Sequence, residues 1–131
     1  MFSRSFGASD FAGFWRHWNP VVGYFLAYFC FAPLRRIAPR SLCLIIAFAL
    51  NGWLHDLVYV WPWGYAWTRY LPFPFPVFTL CLILIAVIIL AAERLRLTLA
   101  DLSPPMRIAW HLLAIVGPFA VSVGVFLLMR R

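Results

Sequence analysis

The chain has 131 residues, of which 65% are hydrophobic, 19% aromatic and only 11% charged, with a formal net charge of +7. That apolar content exceeds what a soluble domain of this length can bury, so composition excludes a freely soluble globular protein and predicts an integral membrane one whose core is partly lipid. All eleven basic residues are arginines and sit at the ends of apolar segments, which marks them as topology signals and headgroup anchors and excludes nucleic-acid binding.

Taken in order, the sequence predicts an all-α, helical membrane protein with a single domain over residues 1–131. Residues 1–40 form an N-terminal interfacial segment. Its first eighteen residues carry Arg4 but no continuous apolar stretch, so no cleavable signal peptide is expected. The stretch FWRHWNP, Phe14 to Pro20, crowds Phe14, Trp15 and Trp18 against Arg16, His17 and Asn19. Residues 21–34 are apolar and aromatic but too short for a span, which predicts either a tilted interfacial helix or a re-entrant one. About three transmembrane helices follow, over residues 41–60, 77–92 and 108–129. The last contains Pro118, where a bilayer helix can kink because its neighbours satisfy the freed carbonyl.

Between the first two spans, YVWPWGYAWTRYLPFPFP concentrates Trp, Tyr and Pro with one charge, the composition of an aromatic belt facing away from the cytoplasm. Arg35, Arg36 and Arg40 precede the first span, and Arg94, Arg96 and Arg107 lie between the second and third. Two crossings separate the clusters, so both vote for the cytoplasmic side, and Arg130 and Arg131 would then lie outside. Cys30, Cys43 and Cys81 are odd in number and lack a CxxC pair. They predict small core hydrophobes, with neither a disulfide framework nor a metal site.

A second polar island, NGWLHD from Asn51 to Asp56, interrupts the first span. On a helix Asn51 and His55 share a face, while Asp56 is turned about 100° away, and Gly52 allows close approach by another backbone or a ligand. An ionisable side chain in a span costs several kcal/mol unless it is paired or faces a polar cavity. His55 and Asp56 therefore mark either a functional site or a hydrogen-bonded contact between helices. His17, beside Arg16, is expected to face headgroups or solvent, and His111 to lie one turn inside the last span near the interface.

The two islands together resemble the membrane-bound O-acyltransferase family. An aromatic-Trp-Asn motif (Phe14, Trp15, Trp18, Asn19) precedes an amphipathic stretch ending in Pro33 and Leu34, and a histidine in an apolar helix, His55, follows Asn19 by 36 positions. The resemblance covers about residues 11–60 and matches only the catalytic portion near the family's carboxyl end. It implies transfer of an acyl group from a thioester such as acyl-CoA, used as co-substrate with no bound cofactor, to a hydroxyl of a lipid or glycan, without an acyl-enzyme. Because the family's members are longer, it also implies a homo-oligomer, a second membrane subunit or a longer gene product.

Such a reaction needs a base to remove the hydroxyl proton, and imidazole, which titrates near neutrality, suits that task. His55 is the candidate base. Asn19 is the second catalytic candidate, hydrogen-bonding the acceptor or the acyl carbonyl in a low-dielectric cavity. Asn51 is the best-placed helper. Asp56 departs from the glycine or glutamate that often follows the family's histidine, and enters with Trp18 as a substrate contact. Trp18 and Trp53 suit an acyl tunnel or an aromatic belt. Arg35 and Arg36 suit the phosphates of a coenzyme A donor or topology anchoring. Expected partners are membrane lipids, and the expected location is a bacterial inner membrane. The competing function is a non-catalytic membrane subunit whose polar cluster holds helices together.

Overall fold

A computed structural model describes residues 2–60 and 76–129. The aromatic loop between the first two spans and the terminal Arg130 and Arg131 lie outside the described residues. Every regular element is helical among those described: α1 (Phe2–Phe6), α2 (Phe11–His17), α3 (Pro20–Leu34), α4 (Arg40–Val60), α5 (Val77–Arg94) and α6 (Pro104–Met129). Three of them, α4, α5 and α6, are long and apolar enough to cross a membrane.

Local chemistry sets the boundaries of the short N-terminal helices. Asp10 caps α2, its Oδ1 accepting from Gly13 N at 2.6 Å, which satisfies one of the orphan donors of the first turn. The chain then turns at Asn19, whose φ of 35° lies in the left-handed region. Asparagine tolerates that region better than most residues. Asn19 Oδ1 accepts from Val22 N at 3.4 Å, and Pro20 opens α3, where a missing N–H costs nothing.

α3 contains a π-helical stretch, Leu26–Phe31, between two α-helical parts. None of its residues is buried. One face carries exposed Val21, Tyr24, Phe25, Tyr28 and Phe29, with the Tyr24–Tyr28 and Phe25–Phe29 rings stacked. Such a face suits a membrane interface.

α5 is the central span, and more of it is buried than of the other two. Its buried stripe, Val77, Cys81, Ile85, Ile89 and Ala92, advances by three or four residues, the spacing of one helix face. Phe11 and Phe14 of α2 pack against Cys81, Leu82, Ile85 and Ile89 of that helix to form the core. The N-terminal island is therefore a plug set against the spans. Arg107 ties it down, donating to Gly7 O at 3.0 Å and to Ala100 O and Leu102 O at 3.1 Å.

The antiparallel pair α4 and α5 is fastened at both ends. At one, Arg40 and Glu93 form a two-pronged ion pair at 2.6 and 2.9 Å. At the other, Gly52 meets the start of α5 so closely that a Cβ there would lie 2.5 Å from Thr79 Cα. Beside it the buried Asp56 carboxylate accepts from Phe78 N at 2.9 Å, Thr79 N at 2.8 Å and Thr79 Oγ1 at 2.7 Å. The two fastenings should differ in strength. With side chains 52% and 35% exposed, the ion pair is solvent-screened, so Arg40→Gln is expected to cost less than about 1 kcal/mol, measured as a shift of the melting midpoint in detergent micelles. A loss of several kcal/mol would contradict this.

The three long helices overlap the ranges 41–60, 77–92 and 108–129 and extend beyond them. α4 begins at Arg40, α5 runs on to Arg94, and α6 starts at Pro104, ahead of its apolar run. α6 continues through Pro118, whose carbonyl accepts the buried Ser122 hydroxyl at 2.8 Å.

Candidate functional site

A cavity of about 710 Å³ runs along α4 and α5, within the size range of small-molecule sites. Arg40, Leu44, Ala47, Phe48, Asn51 and His55 line it from α4, and Phe78, Cys81, Leu82, Ile85, Ile89 and Glu93 from α5. These recur every three or four residues, so each helix gives the cavity a single face about 22 Å long. α3 closes one side with Val22, Gly23, Leu26, Ala27 and Phe31. Its π-helical stretch thus lies on the cavity wall, and such stretches are frequent at functional sites.

The two polar islands meet in this cavity. Trp15, Arg16, Trp18 and Asn19 enter its lining from the α2–α3 corner, while Asn51 and His55 enter from α4. Its polarity is graded: Arg16, Arg40 and Glu93 at one end, apolar side chains through the middle, and Asn51 and His55 toward the other. The left-handed turn at Asn19 is what brings α3 across the cavity.

The tautomer of neutral His55 is defined by its partner. Its Nδ1 lies 2.8 Å from the carbonyl oxygen of Asn51, an atom that only accepts, so Nδ1 carries the proton and Nε2 presents its lone pair. The ring is exposed toward the cavity, 6.1 Å from that of Phe78.

Of the residues expected at the site, His55, Asn19, Asn51 and Trp18 line this cavity. Asp56, Arg35 and Arg36 do not. Asp56, expected to touch substrate, is turned to the other side of α4, its carboxylate taken up by the first turn of α5. The separation of about 100° between Asp56 and the His55 face accounts for the divergence. Arg35 and Arg36 are exposed after the end of α3, with Arg35 donating to Ala38 O at 3.1 Å. The arginines on the cavity are instead Arg16 and Arg40. Position at a helix end is all the sequence records of an arginine, and it does not separate a cavity-lining one from a neighbour.

His111, expected near the interface, is fully buried. It stacks on Phe11, lies 5.0 Å from the Phe14 ring, and its Nε2 donates to Ala8 O at 3.2 Å. It is a packing residue beneath the plug. His17 is exposed, its Nδ1 donating to Gly13 O at 2.8 Å.

This architecture is that of a helical membrane protein with three candidate spans and a side helix walling a polar-ended cavity. No protein-family model, curated protein or solved structure matches the chain.

Proposed function

We propose that this chain is a membrane-embedded O-acyltransferase, or the catalytic part of one, related to the membrane-bound O-acyltransferases and residing in a bacterial inner membrane. The observation that carries the proposal is the shared cavity: Asn19 from one polar island lines the same space as Asn51 and His55 from the other. A hydroxyl held beside His55 loses its proton to Nε2 as its oxygen attacks the carbonyl carbon of a thioester. The collapsing adduct expels the sulfur, which takes that proton from the imidazolium and leaves as a thiol. The amide N–H groups of Asn19 and Asn51 suit the developing oxyanion, an interaction that gains strength in an apolar cavity. Acceptors of this class are lipid or glycan hydroxyls, and the donor is an acyl-CoA or a similar thioester.

One feature favours a second, non-catalytic reading. Asp56 and Gly52, members of the same island, hold α4 to α5, as expected of a scaffold subunit whose polar cluster joins helices.

Radiolabelled acetyl-CoA and palmitoyl-CoA supplied to membranes expressing the wild type and Asn19→Gly at matched levels distinguish the two. Glycine keeps the left-handed turn but removes the amide, so the variant should insert normally and lose label transfer by about tenfold or more. Equal label in both, at the background of membranes lacking the protein, would leave the scaffold reading.

A further inference from the structure

The arginine-bearing end of the cavity opens toward a second, smaller one of about 350 Å³, lined by Asp10, Arg16, Glu93, Arg96 and Thr98 among others. Arg16 and Glu93 line both cavities. The charges here are unevenly satisfied. Glu93 is neutralised by the two-pronged grip of Arg40, and Asp10 is occupied in capping α2. Arg107, nearby in sequence, is taken up by three carbonyls. The guanidinium groups of Arg16 and Arg96 make no hydrogen bond or ion pair with another described residue.

Arg96 also occupies a strained position. It follows α5 with φ of 53°, its N–H donating to Glu93 O at 3.1 Å and that of Leu97 to Ala92 O at 2.9 Å. This is the Schellman arrangement, whose left-handed residue is usually glycine because a side chain there is strained. Strain of this kind tends to be retained where the side chain has a task. Asn19 and Arg96 are the two non-glycine residues with positive φ among the described residues, and each lines one of the cavities.

We propose that Arg16 and Arg96 form a binding site for a phosphate-bearing anion at the junction of the two cavities. Guanidinium forks suit phosphate oxygens in geometry and charge, and the site lies at the arginine-rich end of α5, where such groups are found at a membrane surface. The phosphate comes either from an anionic lipid headgroup or from a water-soluble ligand. The site does not depend on acyl transfer, and failure of one leaves the other standing.

The test uses the full chain in phosphatidylcholine nanodiscs, titrated with radiolabelled pyrophosphate, and in vesicles containing one-quarter phosphatidylglycerol, followed by native mass spectrometry of the lipid retained. The wild type should bind pyrophosphate saturably or retain phosphatidylglycerol selectively, and which it does identifies the source. Arg16→Gln should weaken that binding by about tenfold. Arg96→Gly should weaken it similarly while raising the melting midpoint by about 2 to 5 °C, because the strain is relieved. Arg35→Gln, an exposed arginine outside both cavities, should bind as the wild type does. The site is overturned if the wild type holds neither probe, if either Arg16→Gln or Arg96→Gly keeps full affinity, or if Arg35→Gln loses as much as they do.

Discussion

Asp56→Ala is expected to destabilise the helical fold by about 3 kcal/mol. The reason lies in the sequence that opens α5. Pro76 stands at its N-cap and offers no side-chain acceptor, so the cap residue itself takes up none of the first N–H groups of this helix. In water they would be solvated, but near the hydrocarbon each unsatisfied group costs several kcal/mol. Asp56 supplies the acceptor from the neighbouring helix, taking the N–H groups of Phe78 and Thr79 together with the Thr79 hydroxyl. A carboxylate is also favoured at this end by the helix dipole.

Alanine removes both acceptor oxygens and with them all three hydrogen bonds, in a part-buried contact. Asparagine keeps one oxygen but not the charge, so Asp56→Asn should fall between the wild type and alanine. Gly52→Ala attacks the same contact by steric means, because its Cβ would meet the backbone of Thr79 and Phe78 at 2.5 to 2.8 Å, and backbone cannot swing aside. The two substitutions disrupt one crossing, so their effects should be less than additive. Unfolding midpoints in micelles, measured for both single variants and the double, check this. An Asp56→Ala protein as stable as the wild type would remove the capping argument.

The sequence marks Asp56 as either a substrate contact or a contact between helices; that it names no partner is a matter of distance along the chain. Its partners lie 22 and 23 positions away, and no local pattern announces them. The one available sign is negative, a helix opening on proline without a capping residue. Span positions were easier, because the length of an apolar run maps directly onto bilayer thickness. Even so, α6 begins at Pro104, before its apolar run, since proline is at home in a first turn and Ser103 O accepts the Arg107 N–H at 3.0 Å. His111 shows the opposite limit: its place on an apolar helix was readable, but its burial comes from α1 and α2 folding over it. The cavity drew on both kinds of information. The i and i+4 spacing of Asn51 and His55 put them on one face, whereas the approach of Asn19 depended on a left-handed turn that asparagine before proline permits but does not require.

Under the proposed reaction, His55→Ala is expected to reduce acyl transfer by about 10²- to 10⁴-fold, the usual contribution of a positioned general base. Stability should stay within about 0.5 kcal/mol of the wild type, because His55 faces the cavity and its removal opens no void in a packed core. The substitution therefore separates chemistry from folding in a way that Asp56→Ala cannot. Asn51→Ala is the natural comparison. The imidazole is oriented by the Asn51 backbone carbonyl, which alanine retains, so His55 keeps its tautomer and only the side-chain amide is lost. If that amide assists the oxyanion, Asn51→Ala should lower the rate by less than His55→Ala does and leave the pH dependence of the reaction in place. His55→Gln preserves a polar side chain but cannot accept and return a proton at neutral pH, and should be nearly as inactive as alanine. Transfer rates with matched membrane insertion decide the matter. Substantial activity in both His55→Ala and His55→Gln would show that the histidine is not the base, and would turn attention to what else the cavity holds.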